Sequence, residues 1–404
     1  MRELSFAKGC LIVLALLSCR VEERPPGLSV QPLPSPAGPG AREPYLFADA
    51  DGRVHMIWQQ KTDDTLAAVR YAMFDGASWT QPSTVVESGG LFLNWADFPS
   101  VLVTKSKKIV VHWLQRSGES RYAYHVWIAS SDDGGRSWSR PNLLHSDVSP
   151  TEHGFVSLVE VAPDTVVAVW LDGRATLARA PMQLFSAVWP VGSQPTEEAA
   201  IDTSVCDCCQ TAATVTPNGA IVVYRDRTED EVRDIGAVRL HHGRWLPPQI
   251  VHRDNWKIEA CPVNGPAVAA REAEIAVAWF TAANDSARVL VAVSQDEGAT
   301  FSLPIRVDNG HPVGRVDVEL DQSGTAYVSW LERIAGDTAA ILLRRVSRDG
   351  AVSSPIELAR SSAARASGFP RMARSGSALI LAWTDTSGPL PAVRVARIQV
   401  GFQE

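Results

Sequence analysis

Three cysteines stand within four positions of the chain, in the stretch TSVCDCCQTA at residues 203–212. Cys206, Cys208 and Cys209 are half of the six cysteines in 404 residues. Thiolates bind soft metal ions such as Zn²⁺ and Cu(I), and four of them suit a tetrahedral site. In an oxidising compartment the same residues pair as disulfides. The chemistry therefore depends on the compartment, and on whether the fold brings the sulfur of Cys261 to the other three.

The N-terminus predicts export. A basic start precedes the apolar run Cys10–Leu17, which is too short for a membrane span of about 20 apolar residues. The stretch Leu16–Cys19 resembles the bacterial lipobox, in which the cysteine becomes the lipidated first residue. We expect a signal peptide over residues 1–18, then lipidated Cys19 and a proline-rich tether over residues 19–41. The alternative is a plain signal peptide with an incidental cysteine.

This reading places the protein in the bacterial cell envelope, on the outer membrane or at a periplasmic face. Its contact with the membrane would be through the lipid alone. The formal net charge is −7 and no basic stripe is present, which argues against a nucleic-acid partner. A monomer is expected.

The rest of the chain is repetitive. Seven short runs rich in Val, Ile and Ala end in an aromatic residue, and these ends are 51 to 57 residues apart. They are Trp58, Trp113, Trp170, Tyr224, Trp279, Trp330 and Trp383. Other strand-like runs flank each of them, and no segment shows sustained helical periodicity.

Four antiparallel strands recurring about every 54 residues predict an all-β fold, a β-propeller over residues 42–404. We expect seven blades, with six as the alternative. The last repeat has only three clear strands, and the segment GLSVQPL before the first repeat could supply the fourth and close the ring. The aromatic strand ends are interpreted as packing between blades.

Two turns carry a specific motif. SDDGGRSW and SQDEGATF match the Asp-box pattern of BNR-repeat proteins, and the chain therefore resembles sialidases and related propellers. The resemblance implies that these turns join the third and fourth strands of a blade, are structural, and lie away from the ligand-binding face. The motif residues are Ser131, Asp133, Gly135, Ser137 and Trp138, and Ser294, Asp296, Gly298, Thr300 and Phe301.

The opposite face should gather charged, aromatic and sulfur residues, most densely where the third, fourth and fifth blades meet. Propellers bind ligands at the mouth of the central channel, so this face is the default binding site. The candidate ligand-binding residues are Arg42, Trp95, Arg174, Arg225, Arg233, Trp256, Lys257 and Asn264. The histidines of these loops, His145, His153 and His311, are interpreted as having protein partners and not as ligands.

The four cysteines are expected to meet on this face. Cys206, Cys208 and Cys209 precede the innermost strand of the fourth blade, and Cys261 precedes that of the fifth. Two disulfides, Cys206 with Cys209 and Cys208 with Cys261, are favoured because adjacent cysteines make a strained pair. A four-thiolate site for Zn²⁺ or Cu(I) is the alternative cofactor site, and free or redox-active thiols are a third possibility.

The resemblance to sialidases implies an arginine triad, an acid/base aspartate, and a tyrosine nucleophile assisted by a glutamate. Arg42 begins a stretch similar to the R-I-P motif of that family, and Asp63 or Asp64 would then stand at the acid/base position. No tyrosine follows Tyr327, so the expected nucleophile is not found. A carboxylate pair could still cleave a glycosidic bond. Its candidates are Asp63, Asp97, Asp226 and Glu229.

Three functions remain open. The favoured one is a surface-anchored propeller that binds an anionic glycan or another carboxylated ligand at its Cys- and Arg-rich face, with catalysis unproven. The second is a glycoside hydrolase of sialidase type. The third is a metal-binding lipoprotein built around the four cysteines.

Overall fold

The computed structural model describes residues 28–400 and consists of seven antiparallel sheets. The innermost strand of each sheet contacts that of the next, and the last contacts the first, so the sheets form a closed ring. The predicted all-β, seven-bladed propeller is confirmed, and the six-bladed alternative is wrong. Within the described part of the chain, no helix is long and apolar enough to span a membrane.

Blades 1, 2 and 3 consist of β2–β5, β6–β9 and β10–β13, blade 4 of β14–β18, blades 5 and 6 of β19–β22 and β23–β26, and blade 7 of β27–β29 with β1. The strand bounds are β1 Ser29–Leu33, β2 Ala41–Ala48, β3 Val54–Lys61, β4 Ala67–Phe74, β5 Ser83–Ser88, β6 Ser100–Val103, β7 Ile109–Arg116, β8 Tyr124–Ser131, β9 Asn142–Leu143, β10 His153–Ala162, β11 Thr165–Asp172, β12 Met182–Pro190, β13 Thr196–Val205, β14 Ala212–Thr216, β15 Gly219–Arg225, β16 Ile235–His241, β17 Arg244–Trp245, β18 Gln249–His252, β19 Ala267–Arg271, β20 Glu274–Thr281, β21 Arg288–Ser294, β22 Ile305–Arg306, β23 Pro312–Leu320, β24 Ala326–Ala335, β25 Thr338–Val346, β26 Ile356–Ser362, β27 Arg371–Ser375, β28 Ala378–Asp385 and β29 Ala392–Gln399. Short 3-10 helices cover Arg174–Ala178, Ala283–Asp285 and Arg365–Ser367.

The ring is closed by the N-terminal strand. β1 pairs antiparallel with β29, with Ser29 opposite Gln399 and Leu33 opposite Val395. This confirms that GLSVQPL supplies the fourth strand of blade 7. It also corrects the predicted boundary, because part of the expected tether over residues 19–41 belongs to the propeller. The predicted signal peptide and Cys19 lie outside the described residues.

Strand direction divides the loops between two faces. We call the face that carries the loops between blades, and those between second and third strands, the connection face. The opposite face, with the loops between third and fourth strands, is the turn face. Because β1 runs antiparallel to β29, the third strand of its blade, Ser29 lies at the turn face.

The aromatic strand ends form the contacts between blades. Six of the seven are at most 2% exposed, whereas Trp383 is half-buried. Several buried indoles also donate their N–H to the side chain two residues further on, as in Trp170 to Asp172 at 2.8 Å and Trp330 to Glu332 at 2.5 Å. The interpretation as packing between blades is confirmed for the six buried positions.

The two motif turns lie on the turn face and are held by their aspartates. Asp133 accepts the backbone N–H groups of Arg136 and Ser137 and the Ser137 hydroxyl. These hydrogen bonds, the largest from Ser137, hold the pKa of Asp133 below its ordinary value. Gly135 has φ 84°, and a Cβ there would overlap the Tyr71 ring, so only glycine fits. The turns are structural, and membership of the BNR-repeat family stays a prediction.

Replacing Trp330 with alanine should destabilise the propeller by about 3–5 kcal/mol, because it leaves a cavity between blades and removes one of the hydrogen-bond donors to the Glu332 carboxylate. Urea unfolding followed by tryptophan fluorescence measures the change. Leu303→Ala is the control, since Leu303 is 84% exposed and its loss should change stability by less than about 0.5 kcal/mol. Equal midpoints for the two variants would contradict the assigned packing.

Candidate functional site

Four cysteines meet on the connection face. The sulfurs of Cys206, Cys208 and Cys209 lie within 4.8 Å of one another, with 3.8 Å between Cys206 and Cys208 and 2.9 Å between Cys206 and Cys209. The Cys261 sulfur lies within 4.8 Å of that of Cys208 and of a carboxylate oxygen of Asp207. The predicted convergence of the four residues is confirmed.

All four cysteines are free thiols. The expected disulfides, Cys206 with Cys209 and Cys208 with Cys261, are not formed in the described part of the chain. Cys206 and Cys209 are buried, Cys208 is half-buried and Cys261 is exposed. The cluster therefore reaches from the protein interior to the surface.

The pKa values of the clustered thiols are shifted in different directions. Burial disfavours charge, but hydrogen bonds from Cys208 and Cys209, with Arg225 nearby, lower the pKa of Cys206 well below its ordinary value. Hydrogen bonding to Cys206 raises the pKa of Cys208, and burial raises that of Cys209. A hydrogen bond from Cys208 also lowers the pKa of Cys261, so the cluster favours thiolates at Cys206 and Cys261 over thiolates at Cys208 and Cys209.

Arg225 fixes the loops that carry the cysteines. Its guanidinium is buried and donates to the backbone carbonyls of Asn264, Arg233 and Phe280. It also lies 4.8 Å from the centre of the Trp256 ring. The predicted ligand clamp is therefore a brace between blades 4 and 5.

The other candidate arginines of this face also have protein partners. Arg233 donates to Glu231, and its second terminal nitrogen lies 3.7 Å from Asp207. Arg174 makes a two-pronged pair with Asp172 at 2.7 Å and stacks at 4.0 Å on a phenylalanine ring. Both guanidinium groups are thus paired with carboxylates of the protein, although Arg233 Nη1 has no hydrogen-bond partner among the described residues.

The remaining candidates are scattered. Arg42 is half-buried, and its buried Nε atom has no hydrogen-bond partner among the described residues. Lys257 is exposed and pairs through its backbone with Val232. The Asn264 side chain accepts the backbone N–H of Arg315. No contact among residues 28–400 joins these three side chains in a common binding site.

The mouth of the channel is filled by side chains. Arg315 donates to the Ser367 hydroxyl and to the backbone carbonyl of Gly368, and it lies 5.1 Å from the Trp95 ring centre. Trp95 stacks on Phe369 at 5.8 Å. The polar cavity of the channel measures about 80 Å³, which is too small for a sugar ring.

Backbone bulges aim these residues. The innermost strands β2, β10 and β23 change register near the connection face, and Glu43, Phe155 and Arg315 have φ values of 50°, 53° and 55°. Bulges of this kind re-aim side chains at strand ends. At Glu43 the result is a buried carboxyl whose pKa burial raises well above its ordinary value.

A tyrosine between two carboxyls was missed by the sequence analysis. The Tyr124 hydroxyl lies 2.8 Å from Asp97 and 2.7 Å from Glu152. One hydroxyl proton serves only one acceptor, so one of the carboxyls must be protonated and donate to the tyrosine oxygen. Burial raises the pKa of Asp97 to about 7 and that of Glu152 to about 8. Asp97 also accepts the N–H of Phe155, and this hydrogen bond favours the charged form of Asp97 over the charged form of Glu152.

This arrangement does not form a hydrolytic carboxylate pair. The tyrosine occupies the space between the carboxyls, and Tyr124 and Asp97 are at most 1% exposed. A Cβ at Gly154 would overlap Asp97, so the packing there requires glycine. No contact among residues 28–400 joins Asp97 to Asp63, Asp226 or Glu229.

The other three carboxylate candidates lie apart. Asp63 is exposed and caps its own turn through the N–H groups of Thr65 and Leu66. Asp226 is half-buried, and burial raises its pKa to about 6. Glu229 is exposed. The chosen carboxylates therefore do not converge on one position.

The loop histidines have protein partners. His145 donates from Nδ1 to the Asp147 carbonyl at 2.7 Å and accepts the Val126 N–H at Nε2. His153 stacks on it at 4.0 Å and faces the Asp147 carboxylate at 3.0 Å. Burial lowers the pKa of His145 to about 3. His145 and His153 thus have protein partners, as expected, while ring nitrogens of His125, His145 and His153 also lie within 4.8 Å of one another.

The raised pKa values of Asp97 and Glu152 predict a pH dependence. Since the folded state binds these protons more tightly than the unfolded chain, the free energy of unfolding should fall as pH rises from about 5 to about 9. Glu152→Gln should reduce that fall by about 2 kcal/mol. Urea unfolding at several pH values measures it. Glu229→Gln is the control and should keep the wild-type fall; an unchanged fall in Glu152→Gln would refute the shared proton.

No family model matches the chain, and no curated protein matches it. Among solved structures it is similar to a protein of unknown function from Dyadobacter fermentans DSM 18053, with 12% identity, a TM-score of 0.53, and coverage of 93% of this chain and 99% of that one. It is also similar to polysaccharide lyase Uly1, with 7% identity, a TM-score of 0.54, and coverage of 89% and 90%. The K499G mutant of NanB sialidase from Streptococcus pneumoniae has 10% identity and a TM-score of 0.49, with coverage of 92% and 70%. At such identities the likeness concerns the fold alone.

Proposed function

We propose that this protein binds a thiophilic metal ion, Zn²⁺ or Cu(I), at the connection face through Cys206, Cys208, Cys209 and Cys261. The observation that carries the proposal is the convergence of four free sulfurs from two separate connections between blades. Thiolates are the ligands these ions prefer.

The spacing supports a metal site. With metal–sulfur bonds of about 2.3 Å, two sulfurs of a tetrahedral site lie about 3.8 Å apart. Cys206 and Cys208 have that separation, 3.8 Å. The Cys206–Cys209 distance of 2.9 Å must widen, and the exposed Cys261 must move inward from its position beside Cys208. Three sulfurs are thus close to the positions that a tetrahedral metal site requires. The fourth, from Cys261, would complete the site from the solvent side.

The surrounding charge also supports it. Four thiolates around one metal ion leave a net negative charge, which is costly in a partly buried site. Arg225 and Arg233 are fixed beside Cys206, and both are buried cations. They reduce the cost of holding several thiolates together.

Binding of an anionic glycan at the same face has less support. Arg174, Arg225 and Arg233 are committed to protein acceptors, and the channel mouth is filled. Glycoside hydrolysis by a carboxylate pair has less support too, since Tyr124 fills the gap between the two carboxyls that do come together.

The metal proposal is tested on protein exported to a bacterial periplasm and purified without reductant. We expect about one equivalent of Zn²⁺ or Cu(I) by native mass spectrometry and elemental analysis, and four alkylatable thiols after chelation. Cys206→Ser and Cys209→Ser should each weaken binding at least tenfold. Ser347→Ala on the turn face is the control and should bind like the wild type. A protein with no alkylatable thiols and no metal would contain the two disulfides instead, and the proposal would be wrong.

We also propose that the protein is lipid-anchored in the cell envelope through Cys19. The lipobox resemblance of residues 16–19 supports this. The full-length protein should fractionate with membranes and be released from them by detergent, whereas Cys19→Ser should be soluble or remain unprocessed. Recovery of the wild-type protein in the soluble periplasmic fraction would contradict anchoring.

A further inference from the structure

A groove separate from the cysteines opens between blades 6 and 7. It measures about 830 Å³ and is lined by the loop after β1, the end of β26, and the loops that join the second and third strands of both blades. It therefore lies at the connection face, away from the channel axis. Its volume is within the range of about 300–1,000 Å³ typical of small-ligand sites.

The groove contains the exceptional member of the aromatic repeat. Trp383 occupies the strand position at which the six other aromatic residues are buried, yet it is half-buried and lines the groove. Part of its ring packs against the apolar cluster between blades 6 and 7. One aromatic side chain is thus held rigidly by the fold while part of its surface faces the groove.

The acidic residue two positions after Trp383 does not accept the N–H of its indole. In blades 3 and 6 the residue two positions after the tryptophan accepts its N–H. In blade 7 that residue is Asp385, which accepts from Ser387 and from Arg394 Nε at 3.0 Å. Among residues 28–400 no acceptor is found for the Trp383 N–H, so this donor is free for a ligand.

Charged side chains border the ring. Arg394 and Arg360 are 59% and 60% exposed, and each is held only through Nε, by Asp385 and by Glu357. Their terminal nitrogens have no partner among the described residues. Asp337 and the hydroxyls of Ser361 and Ser387 also line the groove. Donors and acceptors therefore surround an aromatic surface.

We propose that this groove binds a saccharide, with a pyranose ring against Trp383 and its hydroxyls hydrogen-bonded to Arg394, Arg360 and Asp385. A pyranose carries C–H groups on its faces and hydroxyls around its edge, which matches an indole bordered by polar side chains. A purely apolar partner would leave these charges desolvated and unpaired. The site includes no cysteine and is independent of metal binding.

The test is isothermal titration calorimetry of the full mature protein with three probes: cellobiose, diacetylchitobiose and digalacturonic acid. At least one should bind with a Kd of about 1 mM or tighter. Trp383→Ala and Arg394→Ala should each weaken that binding at least tenfold. Arg394 is exposed, so its variant tests the site even if Trp383→Ala folds poorly.

Trp245→Ala is the matched control, because this half-buried tryptophan lies on the outer strand β17 of blade 4. It should bind the sugar as the wild type does. Cys206→Ser should also bind normally, which separates this proposal from the metal site. The proposal is overturned if none of the probes binds, or if binding is the same in Trp383→Ala and Arg394→Ala as in the wild type.

Discussion

The structure depends on the pairing of β1 with β29. Without β1, blade 7 would have three strands and would expose the unpaired edge of β29. Drawing its fourth strand from before the first blade ties the two ends of the domain together. Ring closure also brings the innermost strands side by side, so that loops distant in sequence become neighbours at the connection face.

Arg225 holds together the loops that carry the four cysteines. It is buried at the end of a strand of blade 4, and its hydrogen bonds reach the loop before blade 5 that carries Cys261. A buried guanidinium needs several acceptors, and here backbone carbonyls of three separate segments satisfy it. The same side chain thus fixes loop geometry and favours a thiolate at Cys206. Between blades 4 and 5, a change at Arg225 would therefore alter both the loop structure and the ionisation of Cys206.

The fold could be predicted from the sequence because its determinants repeat. Buried aromatic strand ends recur at a nearly constant interval, and turn motifs mark their blades. The meeting of the cysteines followed from blade order alone. Tyr124 could not be found in this way, since it begins an ordinary strand and its two carboxyl partners come from different connections between blades. The commitment of Arg174, Arg225 and Arg233 to protein acceptors was equally invisible, because a charged loop residue looks the same in sequence whether its partner is a ligand or a carbonyl. Trp383 shows the converse: it keeps the repeat pattern in the sequence, and its partial exposure and the altered partners of Asp385 distinguish it only in the structure.

The entry point of β1 has a consequence for orientation. Ser29 lies at the turn face, so the described chain enters the propeller on the side opposite the cysteines. From Cys19 to Ser29 the chain can span at most about 35 Å. If Cys19 is lipidated, the bilayer lies under the turn face, and the connection face points toward the aqueous compartment. The thiols and the Trp383 groove would then be presented to diffusing molecules, so that metal donors or sugars could approach from solution without competing with the membrane surface for access.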